Sequence, residues 1–247
     1  RFTVDVTKGN TKAVLTVEKV GKVDLPASDI FFGNDKMEVT DTDIYKSEQV
    51  FTQGQMITVT GIDNLNEWWI DPDFFEKQSD GALKFLPING DYRVTANAVL
   101  KYFSVMALKD GKPAKLQDDG TGAIWAIGKG IGKPSVASSE VGWEPGKALC
   151  LAQVAPKKYQ LTLKAGETLK TSGDPEVISF KFFHQNDWGG EFGNYANSIL
   201  VEQLKLADSG NLEMQDNKAF EEGAVYRFTI DVTNGNANAD LKVEKIN

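Results

Sequence analysis

A hydrolytic triad needs a nucleophile, a histidine and an orienting acid, and this chain of 247 residues has one histidine, His184, for any such role. Ser179 and Asp187 are nominal partners only through closeness along the chain. His184 follows an apolar run and precedes a polar turn, which favours a structural or ligand-lining role. The single cysteine, Cys150, excludes an internal disulfide and a thiolate metal cluster. Within Ala148-Leu-Cys-Leu-Ala152 it reads as a small buried hydrophobe. The acid pairs Asp41/Asp43, Asp71/Asp73 and Asp118/Asp119 offer oxygens for a cation or for glycoside cleavage. None continues into the glycine and terminal glutamate of a calcium loop, and the spacing of catalytic carboxylates is a spatial property. They are expected to be solvated turn acids. Gly128-Lys-Gly-Ile-Gly132-Lys lacks the spacing of a phosphate loop and is expected to be a flexible surface loop. No catalytic residue, metal ligand or cofactor is assigned, and the expectation is a protein that is not an enzyme.

Aromatic residues carry more information. Four of the five tryptophans fall in or beside turn-rich segments: Trp68-Trp69, Trp143 in Val-Gly-Trp-Glu-Pro-Gly, and Trp188 in Asn-Asp-Trp-Gly-Gly. Trp125, in Ala123-Ile-Trp-Ala-Ile127, sits within a strand pattern. An indole in a Gly- and Asp-flanked loop presents a flat apolar face with a polar edge, suited to the C–H face of a pyranose ring. Asn186, Asp187 and Glu191 stand near Trp188 as hydrogen-bond partners for sugar hydroxyls. The competing reading is an aromatic plug at the end of a β-sandwich, and the residues alone leave the two open.

These side chains must be positioned by strands. Phe2, Val4 and Val6 alternate with Thr3, Asp5 and Thr7, the period of a half-buried strand. Residues 1–20 match 227–246 at 13 of 20 positions without a gap, and each copy has a Gly-Asn turn between alternating runs, predicting a β-hairpin. A fainter third copy spans Gly90–Leu108. Further strands are predicted at Gln55–Ile62, Leu83–Leu86, Lys158–Lys164 and Ile178–Phe183, with Ile178, Phe180 and Phe182 facing inward. Tyr195–Leu206 fits strand slightly better than helix. The expected fold is all-β: two tandem antiparallel β-sandwiches of immunoglobulin-like kind, with barrels as the alternative. The expected divisions are 1–20, as the remnant of an upstream module or extra strands of the first, then 21–108 and 109–247, with a seam at Lys109-Asp-Gly-Lys-Pro-Ala. A formal net charge of -8 argues against binding nucleic acid or anionic lipid. The chain opens at Arg1 on a strand pattern, so a removed leader or a lipid-anchored cysteine is compatible with this start.

The second module carries a resemblance. Its order is Ala123-Ile-Trp-Ala-Ile-Gly128, Gly142-Trp-Glu-Pro-Gly146, Lys158-Tyr-Gln-Leu-Thr-Leu-Lys-Ala-Gly166, Ile178-Ser-Phe-Lys-Phe182, Trp188 and Tyr226-Arg-Phe-Thr-Ile-Asp231. It resembles the SusE/SusF-like outer-membrane lipoproteins of Bacteroidetes, best over about residues 121–246 and weakly over 21–108. The resemblance implies a multi-module, lipid-anchored protein exposed on the outer membrane. It would bind glycans without cleaving them, beside a TonB-dependent transporter and a SusD-like protein. The family's stacking aromatic falls on Trp188 and its Gly-Trp turn on Trp143. The insertions Gln185–Asp187 and Gly189–Gly193 and the long 128–142 segment depart from compact starch-binding members.

The leading expectation is a surface protein for polysaccharide or oligosaccharide capture and uptake. Stacking on Trp188, assisted by Trp143, would drive binding, with Asn186, Asp187 and Glu191 orienting the ligand. One alternative is a structural or docking protein of an outer-membrane complex; another is a binder of an apolar ligand. An enzyme would require Asp71, Asp187 or Glu191 to converge in one cleft.

Overall fold

The computed structural model describes residues 2–7, 12–17, 29–172 and 177–247. The Gly9-Asn10 turn of the first repeat lies outside them. Among the described residues the fold is all-β, and its named strands pair antiparallel except where Asn197–Ile199 runs parallel to Asp240–Lys245. Every sheet draws its strands from one side of residues 117–122.

In the N-terminal half a five-stranded sheet has the order Lys112–Pro113, Tyr102–Lys109, Gly90–Asn97, Ile44–Phe51 and Glu38–Asp41. The hairpin expected at Gly90–Leu108 is its centre, in register from Asp91–Leu108 to Asn97–Tyr102. Among the described residues two three-stranded sheets and the separate hairpin of Phe2–Asp5 with Val14–Val17 lie on the same side of residues 117–122. The run expected as one strand at Gln55–Ile62 is divided between the two three-stranded sheets, Met56–Ile57 in one and Val59–Thr60 in the other. The seam expected at Lys109 lies inside a hairpin, since Lys112–Pro113 pairs back onto Leu108 and Lys109.

The C-terminal half has two sheets, of six and five strands. One orders Glu140–Gly142, Trp125–Gly132, Ser179–Phe183, Leu212–Met214 and Leu204–Leu206, and Leu149–Cys150 also pairs with the Trp125–Gly132 strand. The other orders Ala152–Ala155, Lys158–Lys164, Val225–Asp231, Asp240–Lys245 and Asn197–Ile199. Alternation decides what faces inward. Tyr159, Leu161 and Leu163 are buried, as are Tyr226, Phe228 and Ile230, and the expected inner face of Ile178, Phe180 and Phe182 is fully enclosed. The two sheets meet through these rings: Phe228 lies 5.6 Å from Phe180 and 6.4 Å from Phe182 between centroids. The run Tyr195–Leu206 forms two short strands separated by a turn.

Gly128–Lys133 is no surface loop. Trp125–Gly132 is an inner strand flanked on both sides, and at its glycines the neighbouring backbones come too close to admit a side chain. A Cβ at Gly128 would stand 2.3 Å from Phe180 Cα and 2.4 Å from Ser179 O; at Gly130 it would stand 2.5 Å from Val177 O. Gly128 also holds φ at 142°, which L residues rarely adopt. The glycines are there for close approach, and the segment reads as flexible only when this packing is unseen.

Gly128→Ala is expected to destabilise the protein by about 2–5 kcal/mol from strained φ and overpacking combined. Chemical denaturation would measure it; a midpoint unchanged from the parent would show that the sheet tolerates the methyl group.

Candidate functional site

The strand Trp125–Gly132 sets the position of two indoles. On one side it pairs with Glu140–Gly142, which delivers Trp143 through the positive φ of Gly142. On the other it pairs with Ser179–Phe183, which runs into the loop carrying Trp188. That loop is tied at its base. Phe183 forms a bridge with Glu191, the Phe192 amide donates to Phe182 O at 2.9 Å, and the His184 amide donates to Gly190 O at 2.6 Å. Gly189 and Gly190 supply the positive φ that reverses the chain.

At the tip the Trp188 side chain is 51% exposed. Its ring lies 6.3 Å from that of the half-buried Trp143, at an interplanar angle of 25°. Beneath it the buried Phe183 meets Trp188 edge-on at 6.0 Å and 76°. Two near-parallel indoles on an aromatic footing make an apolar platform at the surface. Of the polar residues expected beside it, Asp187 is exposed but one carboxylate oxygen already accepts the Trp188 amide at 2.8 Å, fixing the turn. Gln185 donates its amide to Trp188 O. Glu191 is exposed and Asn186 half-buried. The structure thus brings Trp188 and Trp143 into contact and places Asn186, Asp187 and Glu191 on the same loop as Trp188.

The other tryptophans serve the interior. Trp125 is buried, its indole N–H donating to Ala114 O at 3.0 Å. Trp68 stacks on Phe103 at 4.6 Å, and Trp69 donates to Glu167 Oε1 at 2.7 Å across the junction of the halves. Cys150 is buried, and burial pushes its thiol up to about 12, far from a reactive thiolate. Burial pushes His184 down, opposed by the charge of Asp118; its Nε2 is enclosed without a partner, and Phe192 lies edge-on to the ring at 4.3 Å.

One expectation is overturned. Asp71 and Asp73 are not solvated turn acids: they are 2% and 1% exposed, facing Lys133 of the other half, itself 5% exposed. Lys133 Nζ donates to both Asp71 oxygens at 2.8 Å and to Asp73 Oδ2 at 3.0 Å. Asp73 also accepts from Thr162 N and Thr162 Oγ1, both at 2.6 Å, and from Gln160 Nε2 at 2.7 Å. The Trp69 ring sits 5.9 Å from the ammonium. Burial, aided by the charge of Asp73, pushes the Asp71 carboxyl up despite Lys133. Burial opposes ionisation of Asp73 too, but Lys133 and the bonds from Thr162 and Gln160 outweigh it and hold its carboxyl down. For Lys133 the two carboxylates outweigh burial and raise its pKa. Alternation along Lys158–Lys164 marks Gln160 and Thr162 as outward, but not that a second half covers them.

A cleft of about 670 Å³ opens beside this cluster, between Asn97, Tyr102 and Ser104 on one wall and Ser138, Glu140 and Lys147 on the other. Asp71 reaches it, whereas Asp187 and Glu191 stand on the exposed loop. The three acids named for an enzyme therefore have different surroundings.

Residues 10–116 match a family model described as a domain of unknown function (DUF5125), and residues 119–233 match a second, described as a domain of unknown function (DUF5121). The chain thus contains two domains. Their matches meet between residues 116 and 119, where the sheets also divide. No curated protein matches the chain.

Lys133→Met strands two buried carboxylates and is expected to cost about 3–5 kcal/mol in equilibrium unfolding. Asp71→Asn, which keeps the Lys133–Asp73 pair, is expected to cost less; the reverse order would mean that Asp71 holds the ammonium. Because the Lys133 pKa lies above the usual 10.5, its contribution is fully present below that pH and is lost as pH rises through the folded value. On the alkaline side the parent's stability advantage over Lys133→Met should therefore persist until strong alkali, and on the acid side it should shrink as the two stranded carboxyls take up protons and lose their charge.

Proposed function

We propose that this chain is a non-catalytic glycan-binding protein of the SusE/SusF-like kind, exposed on the outer membrane through a lipid anchor. It would assist polysaccharide capture beside a TonB-dependent transporter and a SusD-like protein. Its two domains are read as tandem β-sandwiches of immunoglobulin-like kind, supported in the C-terminal half by the ring contacts between facing sheets. The observation that carries the binding reading is the half-exposed Trp188 lying near-parallel to Trp143, with Phe183 beneath. Such a surface suits the apolar face of a sugar ring, and the free carboxylate oxygens of Asp187 and Glu191 suit its hydroxyls. Stacking of this kind is worth on the order of 1–2 kcal/mol, about tenfold in affinity. Each site is then weak, and several sites on one anchored molecule gain through effective concentration.

A second reading, a small ligand held between the two halves, draws on the cleft of about 670 Å³ beside Asp71 and Lys133.

Trp188→Ala is expected to abolish retardation of the protein in polysaccharide affinity gels, with Trp143→Ala weakening it and the melting temperature of both near the parent's. Equal retardation of Trp188→Ala and parent would contradict the platform. Ligand binding that survives Trp188→Ala but is lost in Asn97→Ala would favour the cleft.

A further inference from the structure

The hairpin of Phe2–Asp5 and Val14–Val17 is a copy of the one formed by Val225–Asp231 and Asp240–Lys245, in structure as well as in sequence. Phe2 pairs with Val17 and Val4 with Leu15, as Phe228 pairs with Val243 and Ile230 with Leu241. The Thr7 amide donates to Asp5 Oδ1 at 2.9 Å, as the Thr233 amide does to Asp231 Oδ1 at 2.9 Å. Among the described residues of the two hairpins the surroundings differ. Ile230, Val232 and Leu241 are buried, whereas their counterparts Val4, Val6 and Leu15 are 59%, 51% and 61% exposed. Among the described residues the first hairpin pairs with no other strand, so it adds nothing to the sheets of the N-terminal half.

An alternating apolar face kept through 13 of 20 matched positions calls for a cover, because an open hairpin with such a face is marginal in water and prone to association. In the C-terminal copy that cover is known. Val225–Asp231 pairs along the whole of Lys158–Lys164, while the rings of Phe180 and Phe182 close over Phe228.

We infer that Phe2–Val17 is the closing hairpin of a preceding module of the same kind as residues 119–247, whose own counterpart of Lys158–Lys164 pairs with Phe2–Asp5. The family boundaries fall at the same place in both copies, between the two strands of the hairpin: the match over 119–233 ends at Thr233, whose counterpart is Thr7, and the match over 10–116 begins before Val14–Val17, the counterpart of 240–243. A second copy of this chain is the poorer occupant, because its own closing hairpin already fills the matching sheet.

Hydrogen exchange on the 247-residue chain and on the full-length protein that its gene encodes tests this, and a gene that encodes no module before Arg1 would overturn the inference. In the shorter chain the amides of Phe2–Asp5 and Val14–Val17 should exchange freely while those of 228–231 and 241–243 are protected. In the full-length protein protection of the first hairpin should rise on the order of 100-fold, towards that of its copy. Equal exchange in both proteins, or protection in the shorter chain that grows with its concentration, would overturn the inference. A chimera asks the converse, by giving the C-terminal hairpin the sequence of the first: Ile230→Val, Asn234→Lys, Ala237→Thr, Asn238→Lys, Asp240→Val, Lys242→Thr and Ile246→Val. It should unfold cooperatively with a melting temperature within a few degrees of the parent; loss of the cooperative transition would show that the first hairpin is not built to close such a sheet.

Discussion

The close backbone contact between Trp125–Gly132 and its neighbours is the constraint from which the rest of the C-terminal half follows. Glycine at 128 and 130 lets residues 177–180 approach on one side, and glycine at 132 lets Ser139 and Glu140 approach on the other. The strand so held has consequences at both ends. Trp125 at its start is paired with Phe183, the residue on which Trp188 stands. Lys133, just past its end, is delivered to the junction with the N-terminal half. One strand thus ties the surface indoles and the buried charges to the same frame.

That junction is an unusual place for charge. Lysine and aspartate are rarely fully enclosed, and a buried ion pair commonly gains no more than it loses in desolvation. What the cluster supplies is direction. Each Asp73 oxygen accepts bonds from residues of the other half, so a change of angle between the halves would break several charge-assisted bonds together. Backbone bonds from Ile88 to Gln153 and from Leu116 to His184 cross the same boundary.

Much of the sheet framework was legible in the sequence because alternation is a local property. The strands Lys158–Lys164 and Ser179–Phe183, the hairpin within Gly90–Leu108 and the hairpin closing the chain all follow the period of two. What local pattern cannot carry is what lies across a gap in sequence. Gly128, Gly130 and Gly132 read as a loop because the backbones that exclude their side chains come from residues 139–140 and 177–180. Asp71 and Asp73 read as solvated because their cation stands some 60 residues away. Among the tryptophans the turn context singled out Trp143 and Trp188 as fit for the surface, but it said the same of Trp68, which stacks on Phe103 in the core.

The most direct measurement for the binding account is a titration of the five indole N–H resonances by NMR with a panel of oligosaccharides. The account predicts that one glycan class shifts Trp188 and Trp143 in a saturable way while Trp68, Trp69 and Trp125 stay in place. Shifts confined to Trp69 and Trp125, or no saturable shift with any glycan, would contradict it.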